Sequence, residues 1–234
     1  MPTIVDQIPA DAVMYLVNAI HFKADWAVPF ETANTVKGVF HATGKDVEAS
    51  FMNRSGKMQY LADGGLTGVL LPYVGDRFAF FAILPGEGVT PRDMLGKLDN
   101  ARLSAFLKTL QANKANSTVD LALPKFETAY KDSLKNELVS MGMDLAFDDA
   151  RADFSLMNEA HLRNLFIGDV LHKTFCRVDE KGTEAAAVTA VVIKTASMPV
   201  PGVQMKLDRP FLYGIVDLQT GVPMFVGILE NPVG

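Results

Sequence analysis

Apolar residues along this chain gather into short runs: Ala12 to Phe22, Leu66 to Tyr73, Phe78 to Leu84, Val119 to Leu123, Leu165 to Val178, Phe211 to Val216 and Met224 to Leu229. Runs of this length, rich in β-branched and aromatic residues and bounded by Gly, Pro, Asn or Asp, predict strands. Three segments carry helix start and stop signals instead. Thr90-Pro91 predicts a helix through about Leu98, Asn100 caps Ala101 to Gln111, and Asp132 opens a stretch that ends at Gly142. These helices are short and amphipathic, fit to cover one face of a sheet. Asp217 to Gly221 joins the last two apolar runs as a hairpin whose strands read as buried on both faces. The pattern predicts one α+β domain of mixed or antiparallel sheets with a few short helices.

One segment departs from this pattern. Residues Glu180 to Thr189 read EKGTEAAAVT, with almost no large side chain, and run into Val191-Val192-Ile193. By composition an Ala-rich helix competes here, since Glu and Ala are good helix formers. The β-branched continuation and the stop at Pro199-Val-Pro201-Gly202 favour an extended segment ending in an exposed turn. By strand parity Thr183, Ala185, Ala187, Thr189, Val191 and Ile193 share one smooth face, while Glu184 and Lys194 share the other.

Composition narrows the function classes. The 234 residues are 49% hydrophobic and 21% charged, with a net charge of −5, enough for a sizeable core. Mild acidity without basic clusters argues against a nucleic-acid surface or an anionic membrane as partner. The single Cys176 excludes an internal disulfide and reads as a small buried strand residue. No amino-terminal signal pattern and no bilayer-length apolar run is present, so the chain reads as soluble.

Catalytic chemistry is mostly absent. The chain has no nucleophile elbow, no His-Glu-x-x-His and no phosphate-cradling Gly loop. His21, His41, His161 and His172 are scattered without ligand spacing and read as structural. Asp148, Asp149 and Asp153 read as a solvated turn after Phe147. Asn53-Arg-Ser55 and Asn116-Ser-Thr118 match glycosylation acceptors, a pattern frequent by chance. A hydrolase using Ser197 ranks below other readings, because no base or oxyanion motif accompanies it.

Several segments together resemble the serpins. LVNAIHFKADWAVPF (Leu16 to Phe30) resembles the third strand of their main sheet, and EKGTEAAAVT their reactive-loop hinge. LPKF (Leu123 to Phe126), LVSMGM (Leu138 to Met143), ADFS (Ala152 to Ser155) and the closing stretch Asp208 to Pro232 match in the same order. The resemblance covers nearly the whole chain as one domain, residues 1–234, with an exposed loop over about 180–203. A serpin begins with further helices and strands, so the chain looks like the carboxy-terminal part of one.

The resemblance implies a serine-protease inhibitor, possible cysteine-protease targets included, that needs no cofactor and acts as a monomer, extracellular in location. A target protease cuts the loop and is trapped as an acyl-enzyme when the freed hinge inserts into the main sheet. The hinge is Glu180, Gly182, Thr183, Glu184, Ala185, Ala186, Ala187, Val188 and Thr189, and family spacing places the reactive bond at Ala196-Ser197. Asn18 and His172 match a pair bridging the sheet's central strands, against the plainer reading of two buried polar groups satisfied locally. Trp26, Lys125 and Glu180 match the group at the top of the sheet, where a surface ion pair would be worth roughly 0 to 1 kcal/mol. The competing function is a non-inhibitory serpin or remnant that serves as a binding or storage module.

Overall fold

The computed structural model describes residues 14–97, 100–113, 117–183 and 202–233. They form two compact units, one of the described residues up to Phe22 with Thr128–Cys176, the other of Lys23–Glu127 with Arg177 onward.

β1 (Tyr15–His21) pairs in parallel with β9 (Asp169–Val178), which lies in the first unit as far as Cys176, in register from Tyr15 opposite Asp169 to His21 opposite Phe175. β8 (Phe126–Ser133) pairs with β9 as well. Phe147, Ile167 and Val170 form a small core into which Leu134, Leu138 and Phe154 pack. β1 exposes apolar side chains, with Leu16 at 41% and Val17 at 48%.

The helix expected from Asp132 to Gly142 starts a few residues late: Asp132 and Ser133 complete β8, and helical backbone runs from α3 (Lys135–Leu138) on towards Gly142. The Asp132 carboxylate accepts bonds from the Ser133 N–H and the Tyr130 hydroxyl, and Ser133 Oγ then accepts the Lys135 N–H. The N-cap of α3 is Leu134, which makes no side-chain capping bond, so Asp132 does not cap this helix. Past Leu138 the backbone widens over Val139–Met143 and breaks at Gly142, whose φ of 97° lies in the left-handed region that glycine tolerates.

The second unit holds an eight-stranded sheet in the order β11-β7-β4-β5-β6-β12-β13, with β3 paired on β4. Its strands are β3 (Thr35–Ala42), β4 (Lys45–Asp63), β5 (Leu66–Pro72), β6 (Phe78–Pro85), β7 (Ser117–Pro124), β11 (Val203–Lys206), β12 (Phe211–Asp217) and β13 (Pro223–Leu229). The apolar runs in β5 and β6 are continuous because they lie deep in the sheet. One face meets helices α1 (Pro91–Lys97) and α2 (Asn100–Ala112), with Leu70, Phe81 and Ile83 packed on Met94, Phe106 and Leu110. Gly68 gives α2 its close approach, since a Cβ there would lie 2.7 Å from Phe106 Cε1. α1 starts as its sequence signals: the Asp93 N–H donates to Thr90 Oγ1 and Pro91 takes the first helical position.

β3 and β4 emerge from alternation, not from apolar runs. In β4 the buried Ala49 and Phe51 alternate with exposed Asp46 and Glu48, a period-two pattern in which charge is normal on one face. The closing hairpin is half as expected. β12 is buried along its whole length, with Leu212 and Val216 packed in the helix-side core and Tyr213 against Phe80 and Phe126, whereas β13 ends the sheet and exposes Met224 and Val226.

Candidate functional site

The segment that resembles a hinge begins at a tight turn. β9 ends at Val178, and Asp179 to Gly182 reverse the chain: the Asp179 N–H donates to the Gly182 carbonyl, and Asp179 Oδ1 accepts the Lys181 N–H. A short polar side chain bonding two residues ahead is what makes Asp a turn former. β10 (Gly182–Thr183) then runs antiparallel to β2 (Ala24–Asp25), and Thr183 also pairs with Val178. Gly182 is required by space, since a Cβ there would lie 2.1 Å from the Ala24 carbonyl oxygen.

Trp26 organises this turn. Its backbone N–H donates to the Lys181 carbonyl at 2.8 Å, its indole N–H donates to the Asp179 carbonyl at 2.9 Å, and the Phe30 N–H donates to the Glu180 carbonyl at 2.8 Å. The Trp26 ring stacks on Tyr73 with centroids 4.7 Å apart and an interplanar angle of 8°, and Phe80 meets it edge-on at 5.7 Å. The Tyr73 hydroxyl lies 2.5 Å from Thr183 Oγ1, with both residues buried.

Beside the turn, Lys125 Nζ lies 2.8 Å from Glu180 Oε2 and the Thr35 hydroxyl donates to Oε1 at 2.9 Å. This is not the surface ion pair expected from the sequence, because Glu180 is only 8% exposed. Lys125 follows Pro124 at the end of β7, where its N–H bonds the Ser50 carbonyl, and this aims the ammonium at the turn. Burial pushes the Glu180 carboxyl up. Hydrogen bonds from Lys125, its own backbone and Thr35, with the Lys125 charge, outweigh burial and hold it below the ordinary carboxylate range.

Trp26, Lys125 and Glu180 thus sit with Gly182 and Thr183 at one location. Glu184, Ala185, Ala186, Ala187, Val188, Thr189, Ala196 and Ser197 lie outside the described residues. In the first unit, Asn18 and His172 are Cα partners across β1 and β9. The two are not a pair of buried groups with protein partners. Asn18 is exposed and makes no side-chain hydrogen bond among the described residues, and buried His172 Nδ1 has no partner, with the Tyr130 ring 6.2 Å away. Tyr73 was not legible as a site residue, because in sequence it is only the tail of an apolar run.

The other polar candidates are local. His41 bonds Asp46 on the surface, and His161 Nδ1 lies 3.2 Å from the Ser155 carbonyl. Asp148 pairs with Arg151 at 2.6 Å, and Asp153 accepts from the Ser155 hydroxyl and pairs with Arg163. Among the described residues no three His, Cys, Asp or Glu side chains group to hold a metal. Cys176 is buried in β9, as a small strand residue should be.

The family model described as Serpin (serine protease inhibitor) matches residues 1–232. An uncharacterized serpin-like protein of Thermococcus kodakarensis is 37% identical over 94% of this chain and 50% of its own length. Among solved structures, the thermophilic serpin tengpin in its native state superposes with a TM-score of 0.85 at 35% identity, covering 97% of this chain and 58% of its own. Human thyroxine-binding globulin complexed with thyroxine superposes with a TM-score of 0.84 at 28% identity, over 98% of this chain and 59% of its own. The chain thus spans about half the length of the relatives it matches.

Proposed function

Since the chain belongs to the serpin family, we propose that the whole protein inhibits serine proteases with residues 180–203 as bait. The protease hydroxyl adds to the Ala196 carbonyl, the peptide bond breaks, and Ser197 leaves as a new amino terminus. The ester left on Ala196 tethers the enzyme. The freed segment from Glu184 onward then enters the sheet as a new strand and carries the protease with it before water can hydrolyse the ester. The observation that carries this reading is Thr183, fully buried and already paired antiparallel with Val178 and Ala24. Insertion continues a strand that has begun. The alternating small residues behind Thr183 suit it, since a Pro would delete a ladder bond and a buried unpaired charge would oppose closure.

Trp26, Lys125 and Glu180 would hold the upper end of the seam shut, and Asn18 with His172 would set how readily β1 parts from β9. The protein needs no cofactor in this scheme, and it would act outside the cell as a monomer. Ala196 suits proteases with shallow specificity pockets, elastase-like or subtilisin-like. Full-length protein incubated with such a protease should give a complex that survives a denaturing gel, and the released peptide should start at Ser197. A start at Thr195 would point to cleavage after Lys194 and overturn the assignment.

A second reading, a binding module without inhibition, is favoured by the similarity to a thyroxine-complexed globulin. Cleavage with no gel-stable complex would favour it.

A further inference from the structure

Thr183 is a buried residue with a polar tip. Its exposure is 0%, and a hydroxyl at such a site is costly unless it is bonded. It is bonded to Tyr73, whose own exposure is 1%. The tyrosine has little freedom to point elsewhere. Trp26 covers one face of its ring, and the backbone around it is pinned: the Tyr73 N–H donates to the Phe78 carbonyl, and the Val74 N–H to the Asp25 carbonyl. Trp26 is itself held through its indole N–H on Asp179, at the start of the turn that delivers Thr183. The contacts close a ring from Asp179 through Trp26 and Tyr73 to Thr183.

Packing alone would be met by phenylalanine at 73 and valine at 183. What the two hydroxyls add is a directional bond between the frame and the last described residue before the loop.

We propose that Tyr73 is a positioning residue for loop insertion, whose hydroxyl latches Thr183 into the sheet before a protease arrives. The proposal rests on the inhibitor reading above. Its physical content is kinetic. Insertion races against hydrolysis of the acyl-enzyme, and a strand whose first residue is already seated needs no nucleation. With Thr183 loose, the first pairing must form anew after cleavage, and more of the trapped ester is lost to water.

The test uses the full-length protein and a protease it inhibits, with Tyr73→Phe, Thr183→Val and the double variant. The second-order rate constant for loop cleavage should be unchanged in all three, since the scissile bond is remote from Tyr73. The number of inhibitor molecules consumed per protease trapped should rise severalfold in each single variant, and by no more in the double, because either change already removes the one bond the pair makes. An unchanged stoichiometry in Tyr73→Phe would overturn the latch, as would a double variant whose change is the product of the singles. Return of the double variant to the wild-type value would overturn it too, since the fault would then lie in an orphaned hydroxyl. Should Tyr73→Phe fail to fold, Thr183→Val alone gives the same reading.

If the wild-type protein traps no protease, the inhibitor reading falls, and native-state hydrogen exchange still tests the latch. The Gly182 and Thr183 amides should exchange about tenfold faster in Tyr73→Phe, and unchanged protection would show that no latch exists.

Discussion

Glu180 and Lys125 meet at 2.8 Å at the start of the hinge, with the carboxylate buried and the ammonium side chain 38% exposed. The asymmetry decides which partner is the more dangerous to remove. Lys125→Met leaves a buried carboxylate with Thr35 as its remaining side-chain donor, whereas Glu180→Gln leaves an ammonium that can reach water. Removing one member of a fully buried pair costs about 3 to 5 kcal/mol, and partial exposure reduces this. We expect about 2 kcal/mol for Lys125→Met and about half of that for Glu180→Gln in urea unfolding at neutral pH. Equal losses would mean that the pair is screened.

The same pair gives a pH dependence of known sign. The folded Glu180 carboxyl titrates below its unfolded value, so its stabilisation is fully present above roughly pH 4.3 and is lost as pH falls through the lower folded value. The gap between wild type and Lys125→Met should therefore narrow on acidification below pH 4. A gap that stays constant down to pH 3 would assign the cost of Lys125→Met to packing.

Gly182→Ala should be among the costliest substitutions at the hinge. Its Cβ would sit 2.1 Å from the Ala24 carbonyl oxygen, and both neighbours are backbone. β10 must leave β2 or carry strain, at a cost of about 3 kcal/mol. A melting temperature within a degree of wild type would show that the strand pair yields freely.

On the proposed inhibitor reading, Thr183→Arg should turn the full-length protein into a substrate, because an inward guanidinium has no partner at a fully buried site. Glu184→Arg should be mild by strand parity. The two variants compared on denaturing gels with one protease decide this, and equal loss of complex would refute the parity.

Residues 1–234 expressed alone should be poorly soluble. Among the described residues β1 ends its sheet, with Leu16 and Val17 both exposed, and open apolar edges template aggregation. Net stability is only about 5 to 15 kcal/mol, so exposed apolar surface at about 25 cal/mol per Å² weighs heavily. A sharp cooperative melt at high concentration, with a gel-stable protease complex, would contradict this.

The strands visible from sequence are those whose side chains are apolar on both faces, β5, β6 and β12 above all. β3, β4 and β8 escaped notice because half their residues face water, and charges such as Glu48 and Lys57 interrupt any apolar run. At the site, Trp26, Lys125 and Glu180 were legible because they stand in recognisable stretches. The Tyr73 contact was not, since its partner lies 110 residues away and nothing local marks a tyrosine whose hydroxyl must be met. The burial of Glu180 was missed for a related reason. Local sequence gives its charge, and only the fold brings Thr35 and Phe30 to it.

Strand β4 runs unbroken for 19 residues, pairing first with β3 and β7 and then with β5. β11, which receives the chain after residue 201, rests on β7. Tyr73, which meets Thr183 just before residue 184, directly follows β5. The described residues on either side of 184–201 are therefore both referred to one strand, the β11 end through β7 and the Thr183 end through Tyr73 and β5. Under the proposed cleavage at Ala196-Ser197 both flanks would keep their ties to that strand, so the cut itself would release neither of them.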